Sequence, residues 1–410
     1  MLVVVHPLIA QHWEWMNLPD MPTARYGHCS VIFQDKVWII GGKSGLNMTL
    51  CEIDCFDLST GQWVSGAPDM NNPRYNASAV VYQNKIFVIG GSGFLQNKLK
   101  AVEYFDPQSG NWHEFTPLNY EREGMTSVVL QDTLYVIGGH SNNGLVPVPL
   151  DIIEYWDQGS SSWKISEKWH LQTARVAMQS VVVDSTVFTF GGVSVAPLNQ
   201  LEVFQSGSGS RLLNPSPRAR FYFAGAAAGD TLFSFGGYGI SGTLDSIDIY
   251  DIQNDIWTTW DITLTSPRAG LSAVNYKGDF YLFGGISESN GVLNIAQRLE
   301  YFPATAVVDI DIPNLPDHFG LLGNYPNPFN AGTTIKFQVA ATEEQVQLLI
   351  FNILGKRVRI YDLGSFAPGL QQIHWNGCDE NGRPVESGIY FAHLKTAKSG
   401  FGVLKMSLVK

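Results

Sequence analysis

The sequence predicts an all-β protein in two parts: a sixfold array of four-stranded units, then a smaller β-sandwich. Three observations predict it. Six glycine pairs, Gly41-Gly42, Gly90-Gly91, Gly138-Gly139, Gly191-Gly192, Gly236-Gly237 and Gly284-Gly285, recur at a period of roughly 50 residues, the mark of a repeat architecture. Each pair ends a short apolar run with an aromatic three residues before the first glycine (Trp38, Phe87, Tyr135, Phe188, Phe233, Tyr281), and each is preceded, sixteen residues upstream, by an arginine: Arg25, Arg74, Arg122, Arg175, Arg220, Arg268. Residues 321–410 abandon this pattern and carry separate short strands without helical periodicity.

Within a repeat, the arginine opens a strand of small or apolar residues, such as Ser78-Ala79-Val80-Val81. A polar turn (Gln83-Asn84, Gln131-Asp132) leads to the aromatic run, which is the second strand. The glycine pair ends it, because glycine tolerates φ > 0 and close backbone approach. A variable loop leads to a third strand ending aromatic-Asp: Phe56-Asp57, Phe105-Asp106, Trp156-Asp157, Tyr250-Asp251. A tryptophan marks the fourth strand (Trp63, Trp112, Trp163, Trp257), where a large amphipathic ring fits the packing between sheets. Repeat four departs, with Phe204-Gln205 and Leu212-Leu213 at these places, and repeat six stops after Tyr301-Phe302. The orphan Trp13-Glu14-Trp15 precedes Arg25 as Trp112 precedes Arg122, so the N-terminal segment is expected to supply the missing strand and close a ring.

Composition bounds the partners. The chain has 410 residues, 45% of them hydrophobic, and a formal net charge of −11, which argues against a nucleic-acid backbone as partner. No apolar run is long enough to span a membrane. The start of the chain is short and apolar but lacks the basic region of a signal peptide, and reads as a truncated signal. Cys29, Cys51, Cys55 and Cys378 form no legible disulfide framework. Cys51 and Cys55, four apart along a strand, are about 13 Å apart. His28 joins three of these thiols in one repeat, but the spacing is not that of a structural zinc site, and buried inert thiols are expected. Gly237 to Gly242 spells GxGxxG without a following helix, so it is no dinucleotide fingerprint. No cofactor or metal is expected.

In the second part, Thr333–Val339, Val346–Phe351, Gln371–Trp375, Ile389–Leu394 and Val403–Leu408 read as strands, with turns at Leu354-Gly355-Lys356 and Asn381-Gly382. Short strands over some 90 residues argue an immunoglobulin-like sandwich. The domains expected are 1–303, a linker at 304–320 bearing Pro313 and Pro316, and 321–410.

The repeat, with its glycine pair, aromatic and tryptophan at set spacing, resembles the Kelch repeat over residues 11–302. The resemblance implies a six-bladed β-propeller. The Kelch family includes copper-radical oxidases, whose site requires a Cys–Tyr cross-link and histidines. His28-Cys29 is the one nearby pair, so that chemistry is not expected. A sialic-acid mutarotase-like epimerase is the enzymatic alternative, but its site cannot be mapped here residue by residue. In some Kelch proteins arginines at the repeated position contact acidic peptides. Arg25, Arg74, Arg122, Arg175, Arg220 and Arg268 are therefore expected near one mouth of the channel, either bonding carbonyls between blades or binding an anion. Asymmetry would come from Tyr26, His28, Tyr75, Glu123, His140, Phe221 and Tyr238. Arg122, Arg175 and His140, near the long third loop, are the favoured contacts.

Tyr325-Pro326-Asn327-Pro328-Phe329-Asn330, Phe351 to Lys356, Trp375-Asn376-Gly377, Gly382 to Val385, Ser387 to Phe391 and Lys405-Met406 resemble the type A C-terminal sorting domain of the bacterial type IX secretion system. They resemble also the Ig-like domain of flagellar hook-capping proteins. The first resemblance implies export through the outer membrane, with the secretion machinery as a partner of residues 321–410. Together these readings predict a secreted or cell-surface bacterial protein whose propeller binds a glycan or protein, a binding module being favoured over an enzyme.

Overall fold

Each glycine-marked repeat builds one four-stranded antiparallel sheet, the sixth with a strand borrowed from the start of the chain. The computed structural model describes residues 12–143, 146–205, 209–302, 320–339, 343–352, 356–366, 369–380, 382–395 and 402–409. Among these there is no α-helix, and so none long and apolar enough to cross a membrane. The chain divides into two units, Met1–Ala306 and Val307–Lys410.

The first unit is a six-bladed β-propeller. Blade 1 runs outward through Cys29–Phe33, Lys36–Ile40, Ile53–Asp57 and Gln62–Val64. The aromatic run is the second strand in every blade, and its side chains fill the space between neighbouring sheets. Trp38 of blade 1, for example, lies 4.9 Å from Phe105 of blade 2. Aspartates of the aromatic-Asp pairs cap the turn to the outer strand. Asp57 accepts from the amides of Ser59 and Thr60 at 2.9 and 3.0 Å, and these bonds with the Ser59 hydroxyl lower its pKa to about 2.

The outer tryptophans latch blades to their entering segments. Trp63, Trp112, Trp163 and Trp257 each donate an indole N–H to a carbonyl there, at 2.8–2.9 Å. Blade 4, with Leu212-Leu213 in its outer strand Ser210–Leu213, has no such indole. The long outer strand of blade 3, Ser162–His170, instead brings Trp169 to 6.3 Å from Phe204 of blade 4.

Blade 6 joins the two ends of the propeller sequence. His12–Asn17 pairs antiparallel with Ala296–Phe302, in a register running from His12 opposite Phe302 to Asn17 opposite Gln297. Trp13 sits edge-on to Trp260 of blade 5 at 5.3 Å and 5.8 Å from Phe280, and Trp15 donates to the Thr263 carbonyl at 2.8 Å. The orphan tryptophans thus take the latch position of the last blade.

The second unit has a three-stranded sheet (Gly320–Tyr325, Thr333–Val339, Gly369–Trp375). Facing it is a four-stranded sheet of Arg357–Phe366, Glu343–Asn352, Gly388–Lys395 and Gly402–Leu408. Phe337, Val346, Leu348, Ile350, Trp375 and Met406 are fully buried between them. The PNPFN stretch is tied to the last strand: Ser407 N–H donates to Asn327 Oδ1 at 2.8 Å, and Phe329 N–H to the Ser407 carbonyl at 2.9 Å. Two strands differ from expectation. Arg357–Phe366, with its charges on the exposed face, is a full strand where only a turn was expected before it. Gly320 lies at the end of the expected linker 304–320 and opens a strand; the rest of that linker lies outside the described residues.

Deleting the chain through Asn17 strips blade 6 to three strands and uncovers Phe233 and Phe280. The propeller is expected to lose several kcal/mol, read as a lower urea midpoint for the propeller transition. An unchanged midpoint would show that the N-terminal strand contributes nothing to closure.

The loop face of the propeller as candidate functional site

The repeated arginines are built into the walls. All six are 0–1% exposed. In five blades a terminal nitrogen donates to the carbonyl of the first glycine of the pair, for instance Arg25 to Gly41 at 2.9 Å and Arg220 to Gly236 at 2.8 Å. The other terminal nitrogen meets a carboxylate on the third strand of the same blade: Arg25–Asp54 (2.8 Å), Arg74–Glu103, Arg122–Glu154, Arg175–Glu202 (2.9 Å) and Arg220–Asp248. The carboxylates also accept backbone amides of the segment entering the blade, Asn71 N–H to Glu103 and Asn119 N–H to Glu154 both at 2.9 Å.

Burial corrects the expectation of a guanidinium-rimmed mouth, at Arg122 and Arg175 as at the other four. In the five paired blades the charge is also cancelled within the sheet. The acids were legible, three residues before the aspartate position of the aromatic-Asp pair, but the pattern is split between Asp and Glu.

Blade 6 breaks the rule. Arg268 finds only the neutral Gln297, at 3.1 Å, and its Nε and Nη1 have no hydrogen-bond partner among the described residues. Burial lowers the pKa of all six arginines; five are countered by their carboxylates, and Arg268, uncountered, falls to about 10. The Gln297 amide works at both ends, donating from Nε2 to Asn17 Oδ1 of the N-terminal strand at 3.0 Å.

Changing Arg74, Arg122 or Arg175 to Ala strands a buried carboxylate, and is expected to cost about 3–5 kcal/mol; Arg25→Ala and Arg220→Ala should cost less, because Asp54 is partly exposed and Asp248 keeps Arg218 at 2.6 Å. Arg268→Ala strands none and should cost less. Gln297→Glu supplies the missing counter-charge and should raise the melting temperature. Equal losses at all six arginines, or a lower melting temperature for Gln297→Glu, would contradict this account.

Main-chain bonds carry the arginine register around the ring. The second glycine of each blade donates its N–H to the carbonyl of the next blade's arginine at 2.8–3.0 Å, ending with Gly285 to Arg25. A Cβ on the first glycine would meet that same carbonyl, at 2.4 Å for Gly41 against Arg74. The residue two after each arginine (Gly27, Asn76, Gly124, Ala177, Tyr222, Gly270) has φ between 49° and 62°. These six form a closed cycle of N–H···O=C bonds of 2.7–3.0 Å across the channel.

Above this cycle the residues after the arginines pair with those after the glycine pairs: Tyr26 with Lys43, Tyr75 with Ser92, Glu123 with His140, Val176 with Val193, Phe221 with Tyr238 and Ala269 with Ile286. The structure therefore brings Tyr26, Tyr75, His140 and Tyr238 to one ring, with Glu123 and Phe221. It also adds Tyr222, which sequence reasoning missed because the matching positions hold Gly, Asn or Ala. Asn76 Nδ2 donates to the Tyr222 hydroxyl and to Glu123, both at 3.2 Å, and Ser92 Oγ donates to Glu123 at 2.7 Å. Lys98 (3.6 Å) and His140 (3.5 Å) also approach Glu123. Burial, with Lys98, lowers the His140 pKa against the pull of Glu123. Burial raises the Tyr222 pKa, helped by Glu123, Tyr75, Tyr26 and Tyr238, so four phenols share one neighbourhood.

The loops on this face end in exposed apolar side chains: Leu46 and Met48 in blade 1, Phe94 and Leu95 in blade 2, Val148 in blade 3, Val195 in blade 4 and Ile240 in blade 5. The GxGxxG stretch is one of them, a hairpin of Tyr238–Gly239 with Gly242–Thr243.

His28 lies elsewhere than expected, in the channel wall below the cycle. It bonds Ser272 through Nε2 at 2.9 Å, beside a hydroxyl-lined cavity of about 210 Å³. Burial and Arg25 push its pKa from 6.5 to about 3. Cys29 and Cys55 are pushed up to about 12, chiefly by burial, and are free thiols. Because His28 is held neutral, only the unfolded chain takes its proton between pH 6.5 and 3. Stability should fall as pH drops through that window, by up to about 1.4 kcal/mol per unit. His28→Gln should flatten this component in melting curves taken against pH; an unaltered profile would exclude it.

Six sheets of this pattern, closed by a shared blade, define a Kelch-type β-propeller. A family model described as the KLHDC2/KLHL20/DRC7 Kelch-repeats domain matches residues 3–192 and 124–301, and the chain belongs to the Kelch-repeat family. A second family model, the FlgD Ig-like domain, matches residues 324–400. A Kelch domain-containing protein of Sulfurisphaera tokodaii is 29% identical over 117 residues, 28% of this chain and 16% of that protein. The F-box/kelch-repeat protein At1g67480 of Arabidopsis thaliana is 28% identical over 137 residues, 32% of this chain and 35% of that protein. Protein tag-53 of Caenorhabditis elegans is 30% identical over 80 residues, 18% of this chain and 6% of that protein. The chain thus spans at most about a third of these relatives' lengths.

Proposed function

We propose that the propeller is a binding module that grips a protein partner on its loop face. Kelch repeats are generally protein-binding modules, and one feature of this chain supports that use. Half-buried Tyr26, Phe221 and Tyr238, set about the more deeply placed Tyr75 and Tyr222 and surrounded by apolar loop tips from five blades, have the composition that binding interfaces favour. With the arginines turned inward, aromatic contact rather than anion capture is the main source of affinity at the centre of this face. A glycan stacking on the same phenols is the other ligand this surface suits.

The C-terminal sandwich serves delivery in this reading. Its PNPFN stretch and terminal Lys405-Met406 resemble those of a type IX sorting domain, and the FlgD Ig-like match supports the sandwich without choosing its address. The protein would be exported to a bacterial surface or beyond, with the secretion machinery as its transient partner.

Protein and glycan arrays probed with the full chain test the propeller. Tyr26→Ala with Tyr238→Ala should weaken any captured partner about tenfold or more, the size of a lost aromatic hot spot, with little change in melting temperature. Binding indifferent to both would move the site off this face. Fusion of residues 321–410 to a reporter with a signal peptide should carry it to the surface of a type IX-competent cell; retention in the periplasm would remove the sorting role.

A further inference from the structure

We propose that the propeller channel binds a slender neutral amphiphile, a molecule with a hydroxyl-bearing head and an alkyl tail, which enters from the end opposite the loops. The site is separate from the loop face and stands whether or not that face grips a protein.

Three observations carry it. The first is the shape of the channel, whose wall is the innermost strand of each blade. At the loop end it is barred. The six-bond cycle crosses there, and Tyr222 of blade 5 reaches the opposite wall, where its hydroxyl accepts from Asn76 of blade 2 at 3.2 Å. The space at that level is about 70 Å³. It widens to about 210 Å³ at the level of Ser30, Ser127 and Ser180. Toward the turns that join the first and second strands, at the level of Ile32, Val129 and Val182, it reaches about 460 Å³. The two larger spaces are continuous, sharing Ser127, Ser180, Gly225 and Ala273. A ligand therefore enters past the turns.

The second is a change of chemistry along that path. The mouth is apolar, with Ile32, Val80, Val129, Val181, Val182 and Val274. The cup behind it carries hydroxyls from five blades: Ser30, Ser78, Thr126, Ser127, Ser180 and Ser272. Beyond the cup, Met125, Met178, Phe223 and Leu271 make an apolar collar. Some cup hydroxyls bond one another, Ser78 with Ser127 at 2.7 Å, and a hydroxyl so paired keeps acceptor capacity. Ser30 Oγ in the cup and Asn275 Nδ2 in the mouth are buried without a hydrogen-bond partner among the described residues.

The third is neutrality. No Asp, Glu, Lys or Arg lines the mouth or the cup. The two ionisable groups of the cup are uncharged at neutral pH: burial and Arg25 push His28 down to about 3, and burial pushes Cys29 up to about 12. An ion entering here would shed its hydration and meet no counter-charge. A hydroxyl head exchanges its water bonds for those of Ser30 and its neighbours, while an alkyl tail is buried against the valines. A polyol without a tail leaves the apolar mouth uncovered, and an alkane leaves the cup unpaired, so the channel specifies both ends of its ligand.

The test follows the methionine methyl resonances of the full chain in titrations with primary alcohols, butanol, hexanol and octanol. Hexanoate and hexylammonium are the charged controls. Met125 and Met178 report on the collar, and Met48, exposed at a loop tip, reports on the other face. Hexanol is expected to shift Met125 and Met178 saturably and to leave Met48 in place. The dissociation constant should fall about fourfold for each added methylene, the worth of burying one. Hexanoate and hexylammonium should bind about tenfold more weakly than hexanol, or worse. Ser30→Leu fills the cup without breaking a hydrogen bond, and should abolish both shifts while the melting temperature holds. Should that variant unfold, Ser30→Ala answers in its place, weakening hexanol about threefold or more by removing one hydrogen bond. Shifts at Met48 alone, or equal binding of hexanoate, would overturn the site. So would the lack of a saturable shift with any alcohol, which would show a channel that holds water only. Each of these outcomes leaves the loop-face reading untouched.

Discussion

Every blade of this propeller is fastened to the next by the same main-chain bond, from the second glycine of one pair to the arginine carbonyl of the following repeat. That bond explains why the two landmarks of the sequence are the ones they are. That carbonyl approaches so closely that the first glycine of the pair can carry no side chain, and the carbonyl after the blade's own arginine crowds the second in the same way. In five blades the arginine holds its own backbone in place by spanning from its glycine partner to a carboxylate on the third strand. A buried ion pair is a poor source of net stability, since desolvation offsets most of the attraction. Here its use is geometric: it fixes the carbonyl that the neighbouring blade reads.

The fold was legible because each of its devices recurs. Gly41-Gly42 alone says little; six such pairs in phase with six arginines leave one architecture. The orphan Trp13 and Trp15 were readable for the same reason, as the one tryptophan position the repeats left vacant. Legibility ended where the repeat did. Arg25 and its equivalents looked like ligands because a sequence displays a charge without its partner, and Asp54, Glu103 and Glu202 sit far along the chain from the arginines they neutralise. Tyr222 could not be found by pattern, since its importance comes from facing Asn76 across the channel.

The second unit teaches the same lesson from shorter signals. Its alternating strands were found where one face is apolar, as in Thr333–Val339, whose Ile335 and Phe337 are fully buried. Arg357–Phe366 puts charges and a glycine among its apolar positions, and only its pairing with Glu343–Asn352 makes it a strand. The PNPFN stretch, conspicuous as a motif, proves to be a clip: Asn327 and Phe329 bond the final strand by main-chain and amide contacts.

The shared blade sets an order of events. A ribosome that has released the first five repeats leaves two edges open, on blade 5 and on blade 1, and the strand at His12–Asn17 must wait for residues 296–302 before it has anything to pair with. Over that interval the strand that carries Trp13 and Trp15 has no partner strand. Assembly is therefore sequential but completion is all at once, and the finished ring has no loose end from which a blade can be peeled without first undoing the last bond made.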